Sequence, residues 1–578
     1  MVGVPILFLR ILNDPINVPK LGLLLVILPL VIALRGAELL QGADREGLRR
    51  LAIPALAVSI PLVVAWLFSP YKGWSLFGNY SRFSGLIPYL AAVMFGVLVA
   101  DAFGRHTRQL AFALASAGGL VGGYALVQYA GLDPFTWAVG EDAAHRLAVS
   151  SLGNTNFVGA FLGIVLPVTV SLLFTDRSSR WLWLFVLLIT GGWIVAFSEG
   201  GWAAGIAGLL VVIGFMAAPR WQRARPLTLA AAGLIGVTAV GAVGASIVSQ
   251  NQHIPKTIDR RGDWWEGALN MAADARIAGR GPATFALEGT QYRTIDDGLE
   301  VGFDFTDDPH SLFMAFLTSA GVIGVGGLLV AVGWLIRQGL RLPGEELVGA
   351  GFFGAVVAYV VQASISIDTV ALRMTFWTVA GGLAATAVPA VATATGLSRG
   401  TQKRRSKRVV QPPLKLPLGV VTFALLGVAG AWWGLNFVLA DARVQQGNLL
   451  WDQGDVQGFQ ETYDSALGFR EEIAYRRTYA VRLGEVALAL AAEGHSEPAR
   501  AFLEQARQGF AYTDDLPDAR GLVGYARFLN AWAEFDPDAR DEALALYERA
   551  LSIDPQNPAL ASEVETVRAA PAPGDEET

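Results

Sequence analysis

The chain of 578 residues is 53% hydrophobic and 16% charged, with mean hydropathy +0.43 and a formal net charge of −6. Soluble domains carry about 25% charged residues, so this balance points to lipid and overrides the several soluble domains that length alone suggests. The absence of cysteine excludes disulfides, thiolate zinc sites, iron–sulfur clusters and cysteine nucleophiles.

Residues 1–12 are apolar but hold Arg10 and lack a small-residue cleavage site. They do not read as a cleavable leader; the expectation they leave open is one further span, short enough for its start to be truncated. A spanning helix needs about 20 mostly apolar residues. Such runs occur at 21–40, 51–68, 86–103, 109–130, 157–174, 181–197, 201–218, 226–248, 311–336, 347–366, 374–396 and 415–440. The basic connections are 44–50, 105–108, 177–180, 220–225, 337–341 and 403–408. Counted through the spans, all of them fall on one side, which the bias of Lys and Arg places in the cytoplasm. The other side receives 13–20, 69–85, 131–156, a hairpin at 198–200, a large loop at 249–309, 364–373 and everything after about 440. The expected fold is therefore all-α: a polytopic transmembrane helical bundle of twelve or thirteen spans over 1–440, with an extracytoplasmic helical tail.

In that tail, Tyr547-Glu548-Arg549-Ala550-Leu551 followed by Asp554-Pro555-Gln556-Asn557-Pro558 reads as the second helix of a tetratricopeptide-like repeat. Tyr463 to Leu467 and Leu503 to Ala506 echo it at wider spacing than the usual 34 residues or so. Stacked helix pairs of this kind over 441–568 bury a continuous seam and leave a binding surface. The Pro-rich, acidic end, 569–578, is expected to be disordered.

Several polar residues border hydrocarbon on the non-cytoplasmic side, where they are costly unless paired. His310 sits where the large loop re-enters the bilayer; it reads either as a group able to take a proton at neutral pH or as part of a helix cap with Asp308 and Ser311. Arg260 and Arg261 open Arg260-Arg261-Gly262-Asp263-Trp264-Trp265. A guanidinium there is either a bidentate phosphate ligand or a snorkelling anchor, and Arg82 and Arg146 have the same two readings. Asn154 and Asn156, in Gly153-Asn154-Thr155-Asn156, either start a helix or bind sugar or phosphate. Glu199, in Ser198-Glu199-Gly200-Gly201, is a turn residue, an arginine partner or an acid–base group. The acidic pairs Asp296-Asp297 and Asp307-Asp308 read as solvated loop acids rather than a cation site.

Taken in order, these segments resemble the O-antigen ligase and polymerase superfamily of membrane oligosaccharide transferases. The resemblance spans roughly 13–396. It is carried by Asn13 to Lys20, Gly78 to Gly85, and Gly153 to Asn156, which is similar to a Gly-Asn-Pro-Asn motif. Further on it rests on Arg261 to Leu269, Ala278 to Phe285, and His310-Ser311 followed by Gly321 and Gly324. Relatives often carry Arg where this chain has Glu199, so the resemblance implies another phosphate-gripping residue, Arg82 or Arg146. It implies transfer of a glycan from a polyprenyl diphosphate-linked oligosaccharide to an acceptor hydroxyl at the outer face of the plasma membrane. His310 would be the general base and Arg261 the leading cation, with Asn154, Asn156, Arg260 and Glu199 contacting substrate. No cofactor, metal or nucleic acid is implied. The acceptor is a glycan, a lipid or a protein, membrane lipid surrounds the bundle, and a protein partner would bind the tail. Two rival readings are a transporter or flippase, which predicts charged or broken helices in mid-span, and a scaffold presenting the repeats, which needs only one span.

Overall fold

A computed structural model describes residues 2–80, 82–104, 106–135, 148–217, 256–387 and 418–569. The expected span at 226–248, the basic connections 220–225 and 403–408, Arg146 and the end 570–578 lie outside the described residues. Every regular element among those residues is helical.

In chain order the bundle comprises α1 (Asn17–Leu40), α2 (Ala52–Phe68), α3 (Leu86–Ala102), α4 (Thr107–Tyr129), α5 (Thr155–Thr175), α6 (Arg180–Val195) and α7 (Glu199–Met216). It continues through α8 (Lys256–Asp274), α9 (Ile295–Val301), α10 (Leu312–Leu340), α11 (Leu347–Ala363), α12 (Val370–Thr386) and α13 (Leu418–Asp452). Six of these, α1, α4, α5, α7, α10 and α13, are long and apolar enough to cross a membrane, and α2, α3, α6 and α11 are shorter apolar helices. The protein is thus an all-α, multi-pass helical protein. Residues 1–12 do not make a thirteenth span: only Gly3–Ile6 is helical. The chain then folds back, and Lys20 Nζ donates to the carbonyls of Leu7, Ile16 and Ser151 at 2.9, 2.8 and 2.7 Å. All three ammonium protons are used, which ties the amino terminus to the start of α5.

Hydrophobic burial gives no preference between a helix neighbour and a lipid tail, so close backbone approach at small residues must hold such helices together. Gly208 of α7 faces the Gly354 carbonyl of α11, Gly163 of α5 faces the Gly201 carbonyl of α7, and Gly96 of α3 faces the Trp377 carbonyl of α12. A Cβ at these three positions would lie 2.7, 2.6 and 2.7 Å from the oxygen it meets. The first and last bundle helices pair in the same way, with Gly434 of α13 on Leu25 of α1. At the end of the bundle that carries the basic connections, Arg35 pairs with Asp101 at 2.7 Å, and Arg50 donates to the Ala100 carbonyl at 3.2 Å.

Helix α10 is broken at Gly321 (φ 62°, ψ −158°), a conformation open essentially to glycine alone. The break frees backbone groups that hydrocarbon would not satisfy, and the loop segment 276–281 takes them. Val322 and Ile323 donate to the carbonyls of Arg276 and Ile277 (2.9 and 3.3 Å), and Arg280 and Gly281 donate to Thr318 and Ser319 (3.0 and 2.9 Å). The large loop is thereby stitched to α10.

Helix α13 has 35 residues; at about 1.5 Å per residue it is far longer than the roughly 30 Å hydrocarbon layer. No break occurs at the expected boundary of 440/441. The helix runs on and packs against α14 (Val456–Phe469), followed by the pairs α15 (Ile473–Ala492) with α16 (Ser496–Phe510) and α17 (Ala519–Trp532) with α18 (Ala539–Ile553), and by α19 (Pro558–Ala569). The second helix of each pair buries two residues three apart: Tyr463 and Ala466, Leu503 and Ala506, Tyr547 and Ala550. These are the positions the sequence echoes mark.

Replacing Gly321 by Ala should cost about 2 kcal/mol or more, from forced backbone strain and a clash with the Ile277 carbonyl. Hydrogen exchange should then rise in 276–281 while α1 and α13 keep wild-type protection; unchanged exchange in 276–281 would contradict the stitched loop.

Candidate functional site

Among the described residues, five that are not glycine have positive φ: Phe83, Ser150, Phe197, Ala283 and His310. Such conformations are uncommon and gather where surrounding structure over-determines them. Each lies in a loop that also carries one of the candidate polar groups.

His310 is the centre of this region. Its φ of 54° follows from a tight turn in which the His310 N–H donates to Asp308 Oδ1 at 2.8 Å and Nδ1 lies 2.9 Å from the Asp308 carbonyl. A carbonyl only accepts, so Nδ1 carries the proton and Nε2 keeps its lone pair in the neutral ring. The indole of Trp264 on α8 stacks on the imidazole with centroids 4.2 Å apart, and its Nε1 donates to Asp297 at 3.1 Å. Burial pushes the His310 pKa down to about 4; the hydrogen bond to Asp308 opposes this, and the charges of Arg261 and Arg82 reinforce it. Both arginines are therefore close enough to act on the imidazole. Ser311 stands at the N-cap position of α10 without a side-chain bond, and it is Asp308 whose carboxylate satisfies a backbone donor of this segment.

Arg261, one turn before Trp265 on α8, makes no ion pair or hydrogen bond with the described residues. Burial lowers its pKa, opposed by the charge of Glu199, which brings the α6–α7 hairpin to the same locus. Glu199 itself is exposed in the first turn of α7, behind the Ser198 cap, where a carboxylate suits the helix dipole. Beside it, Gly200 faces Gln362 Oε1, a buried oxygen with no hydrogen-bond partner. Arg260, about 100° round the helix, points elsewhere and pairs with Glu300 at 3.2 Å.

Arg82 is held by Asp307 at 2.9 Å, and Asn79 donates to the same oxygen at 2.8 Å. The acids at 307–308 are not free loop acids. Asp307 is bound in this pair, and burial beside the Asp307 charge lifts the Asp308 pKa to about 7. Asp297 likewise is buried, 3.7 Å from Arg293. The adjoining Phe83 carbonyl accepts from Arg373 at 2.9 Å. That arginine, placed in a connecting loop by sequence, lies in the first turn of α12, buried, ion-paired to Asp368 at 2.8 Å and 3.7 Å over the Tyr89 ring. Its only sequence signal is a lone cation opening an apolar run.

Asn154 caps α5, its side chain accepting from the Asn156 N–H at 2.8 Å. Asn156 is exposed one turn before Gly159, which packs on Ser198 of the hairpin. The structure thus gathers His310, Arg261, Arg82 and Glu199, turns Arg260 away, and gives Asn154 a capping role.

This is a multi-pass helical protein with an imidazole at one face and, beside it, a guanidinium unpaired among the described residues. Residues 183–329, the stretch holding Glu199, Arg260, Arg261 and His310, match the family model described as O-antigen ligase. No curated protein matches the chain. The match supports a ligase-type enzyme of glycan transfer.

The two shifted groups oppose each other in their effect on stability. The unfolded chain protonates His near 6.5 and Asp near 3.9, both approximate. His310 stabilises fully above about 6.5, and this is lost as pH falls toward 4. Asp308 stabilises fully at low pH, and this is lost as pH rises through about 7. Melting temperature of Asp308→Asn should therefore fall more steeply than wild type between pH 6.5 and 4.5, while that of His310→Gln should rise relative to wild type. Parallel curves for all three proteins would contradict the assignment.

Proposed function

We propose that the chain transfers a glycan from a polyprenyl diphosphate carrier to an acceptor hydroxyl at the outer face of the plasma membrane. The observation that supports this most is the meeting of a neutral imidazole, its Nε2 unengaged, with an unpaired Arg261 and a carboxylate-held Arg82, in a region most of which matches the ligase family.

In this reading the acceptor hydroxyl gives its proton to His310 Nε2 as its oxygen attacks the anomeric carbon. The bond to the diphosphate oxygen breaks, and the leaving group carries off the negative charge. A diphosphate needs cations more than a proton donor, and Arg261 serves first because no described residue pairs with it. Arg82 joins by exchanging Asp307 for phosphate. The low pKa of His310 keeps it unprotonated at neutral pH; a general base works best nearer pH 7, so the departing diphosphate must drive much of the reaction. Glu199 orients Arg261. Asn156 borders the donor and Arg146 is a secondary contact, whereas Arg260, paired with Glu300, is left out of the contact set. The reaction draws on no cofactor, because the lipid donor is already energised.

The basic connections would face the cytoplasm and the tail, as tetratricopeptide-like repeats, the opposite side. The acceptor is a growing glycan, a core lipid or a protein hydroxyl. A transporter predicts charged or broken helices in several mid-spans; α10 is broken at Gly321, but Lys20 and Arg373 lie near helix ends and bond to protein groups, which favours the transferase reading.

His310→Ala and Arg261→Ala should each lower the transfer rate by about a hundredfold or more while leaving membrane-inserted protein at wild-type levels. The assay is release of glycan from purified polyprenyl diphosphate oligosaccharide onto acceptor. Normal rates in both variants would refute the mechanism.

A further inference from the structure

A groove of about 630 Å³ lies between loop 69–85 and the tail, with one wall from residues 70–78 and the other from 470–476 and 511–516. Its depth relative to lipid follows from three observations. Leu67 and Phe68, 52% and 76% exposed at the end of α2, face outward just before Pro70 of the groove wall. Counted from Leu418, the first residue of α13, about 20 residues at 1.5 Å each cross the roughly 30 Å hydrocarbon layer, so its boundary falls near Phe437. Trp432 and Trp433, both exposed about one turn earlier, match the aromatic belt of that boundary. Phe77 of the groove meets the rings of Trp433 and Phe437 with centroids 5.5 and 5.1 Å apart, and Arg470 stacks 3.5 Å over Phe437. The groove therefore stands at the level of lipid head groups.

The charges of its walls select among head groups. Arg470 is paired with Glu472 at 2.5 Å and Arg476 with Glu471 at 2.6 Å, so these four cancel. Lys72 on the loop wall and Asp515 on the tail wall remain, both exposed and neither ion-paired among the described residues. A cation and an anion on opposite walls suit a ligand that carries both signs. A purely anionic head group would meet Asp515 as a like charge. A quaternary ammonium has no N–H to give a carboxylate, whereas a primary ammonium has three. Tyr71, Trp74 and Tyr512 line the same groove and offer amphipathic surface of the kind that settles at the membrane interface.

We propose that the groove binds a zwitterionic phospholipid with a primary-amine head group, of the phosphatidylethanolamine class. Its phosphate lies against Lys72, its ammonium donates to Asp515, and its acyl chains run down beside Leu67 and Phe68. Lipid in this position bridges loop 69–85 to the tail. Arg470, on the groove wall, also lies 5.8 Å from the ring of Phe83, the neighbour of Arg82. The lipid is thus a structural ligand of the loop that carries Arg82, and its assignment stands or falls independently of glycan transfer.

The test uses full-length protein, delipidated in detergent and free of any glycan donor. Native mass spectrometry reads lipid retention from an equimolar mixture of phosphatidylethanolamine, phosphatidylcholine and phosphatidylglycerol. Wild type should retain phosphatidylethanolamine about fivefold more than either other lipid, the worth of one exposed charge contact. Lys72→Gln and Asp515→Asn should each abolish most of that preference. Both side chains are exposed, so both variants should melt as wild type in lipid-free detergent. Added phosphatidylethanolamine should raise the melting temperature of wild type and not of the variants. Glu504→Gln, exposed on α16 outside the groove, should bind as wild type. Equal retention of the three lipids, preference for phosphatidylglycerol (an anion site) or for phosphatidylcholine (an aromatic cage), undiminished preference in both groove variants, or an equal loss in Glu504→Gln would each overturn the proposal.

Discussion

A helix that breaks inside an apolar bundle leaves backbone groups that lipid will not satisfy, and the architecture of the candidate site turns on how this chain answers that demand at Gly321. Four backbone hydrogen bonds from 276–281 replace those the helix gives up. They fix one end of the large loop against α10, within a few residues of where α8 ends and about ten residues from His310. Trp264 then reaches the imidazole from α8, and Asp308 reaches it through the turn. Without the break, the loop would have no backbone register with the bundle, and the residues on α8 would be set by side-chain packing alone.

Charge pairing divides the arginines of this face into two kinds. Arg373, Arg293 and Arg82 are matched to carboxylates and hold loops in place. Arg261 has no such match among the described residues, and Glu199 acts on it only at longer range. A half-buried guanidinium without a carboxylate among the described residues is open to an anion that presents two oxygens to it. Arg82 sits between the two kinds, half-exposed and held by an acid that could be exchanged for phosphate.

The tail is continuous with the bundle rather than tethered to it. Asp441, on the uninterrupted α13, accepts from Tyr80 of the first loop, from Tyr475 of the tail and from the Asp14 N–H. Arg470 stacks 3.5 Å over Phe437, and Arg293 of the large loop forms a buried pair with Asp554 at 2.8 Å. Arg520 further binds the backbone of Phe303 and Phe305. Contacts of this kind, linking three separate chain segments through buried polar groups, make the position of the tail part of the geometry of the loop that carries His310.

Composition and the length of apolar runs are local properties, so the all-α class and the run of bundle helices are legible from residues alone. The sequence also marks Tyr463, Leu503 and Tyr547, which are buried on their helices, and Gly321, whose place after His310 marks it without explaining it. The missed features depend on partners far away in the chain. Residues 1–12 looked like a span because apolarity does not reveal that Lys20 will turn back to cap the Leu7 carbonyl. The acids at 297, 307 and 308 looked solvated because their partners, Arg293, Arg82 and the His310 turn, were not visible as neighbours. Arg373 was assigned to a connection, and Arg260 was grouped with Arg261 although a helix sends adjacent side chains about 100° apart. Local pattern thus determined which segments are helices; only the tertiary structure decided which charges meet, because pairing energy depends on distance in space and not on separation along the chain.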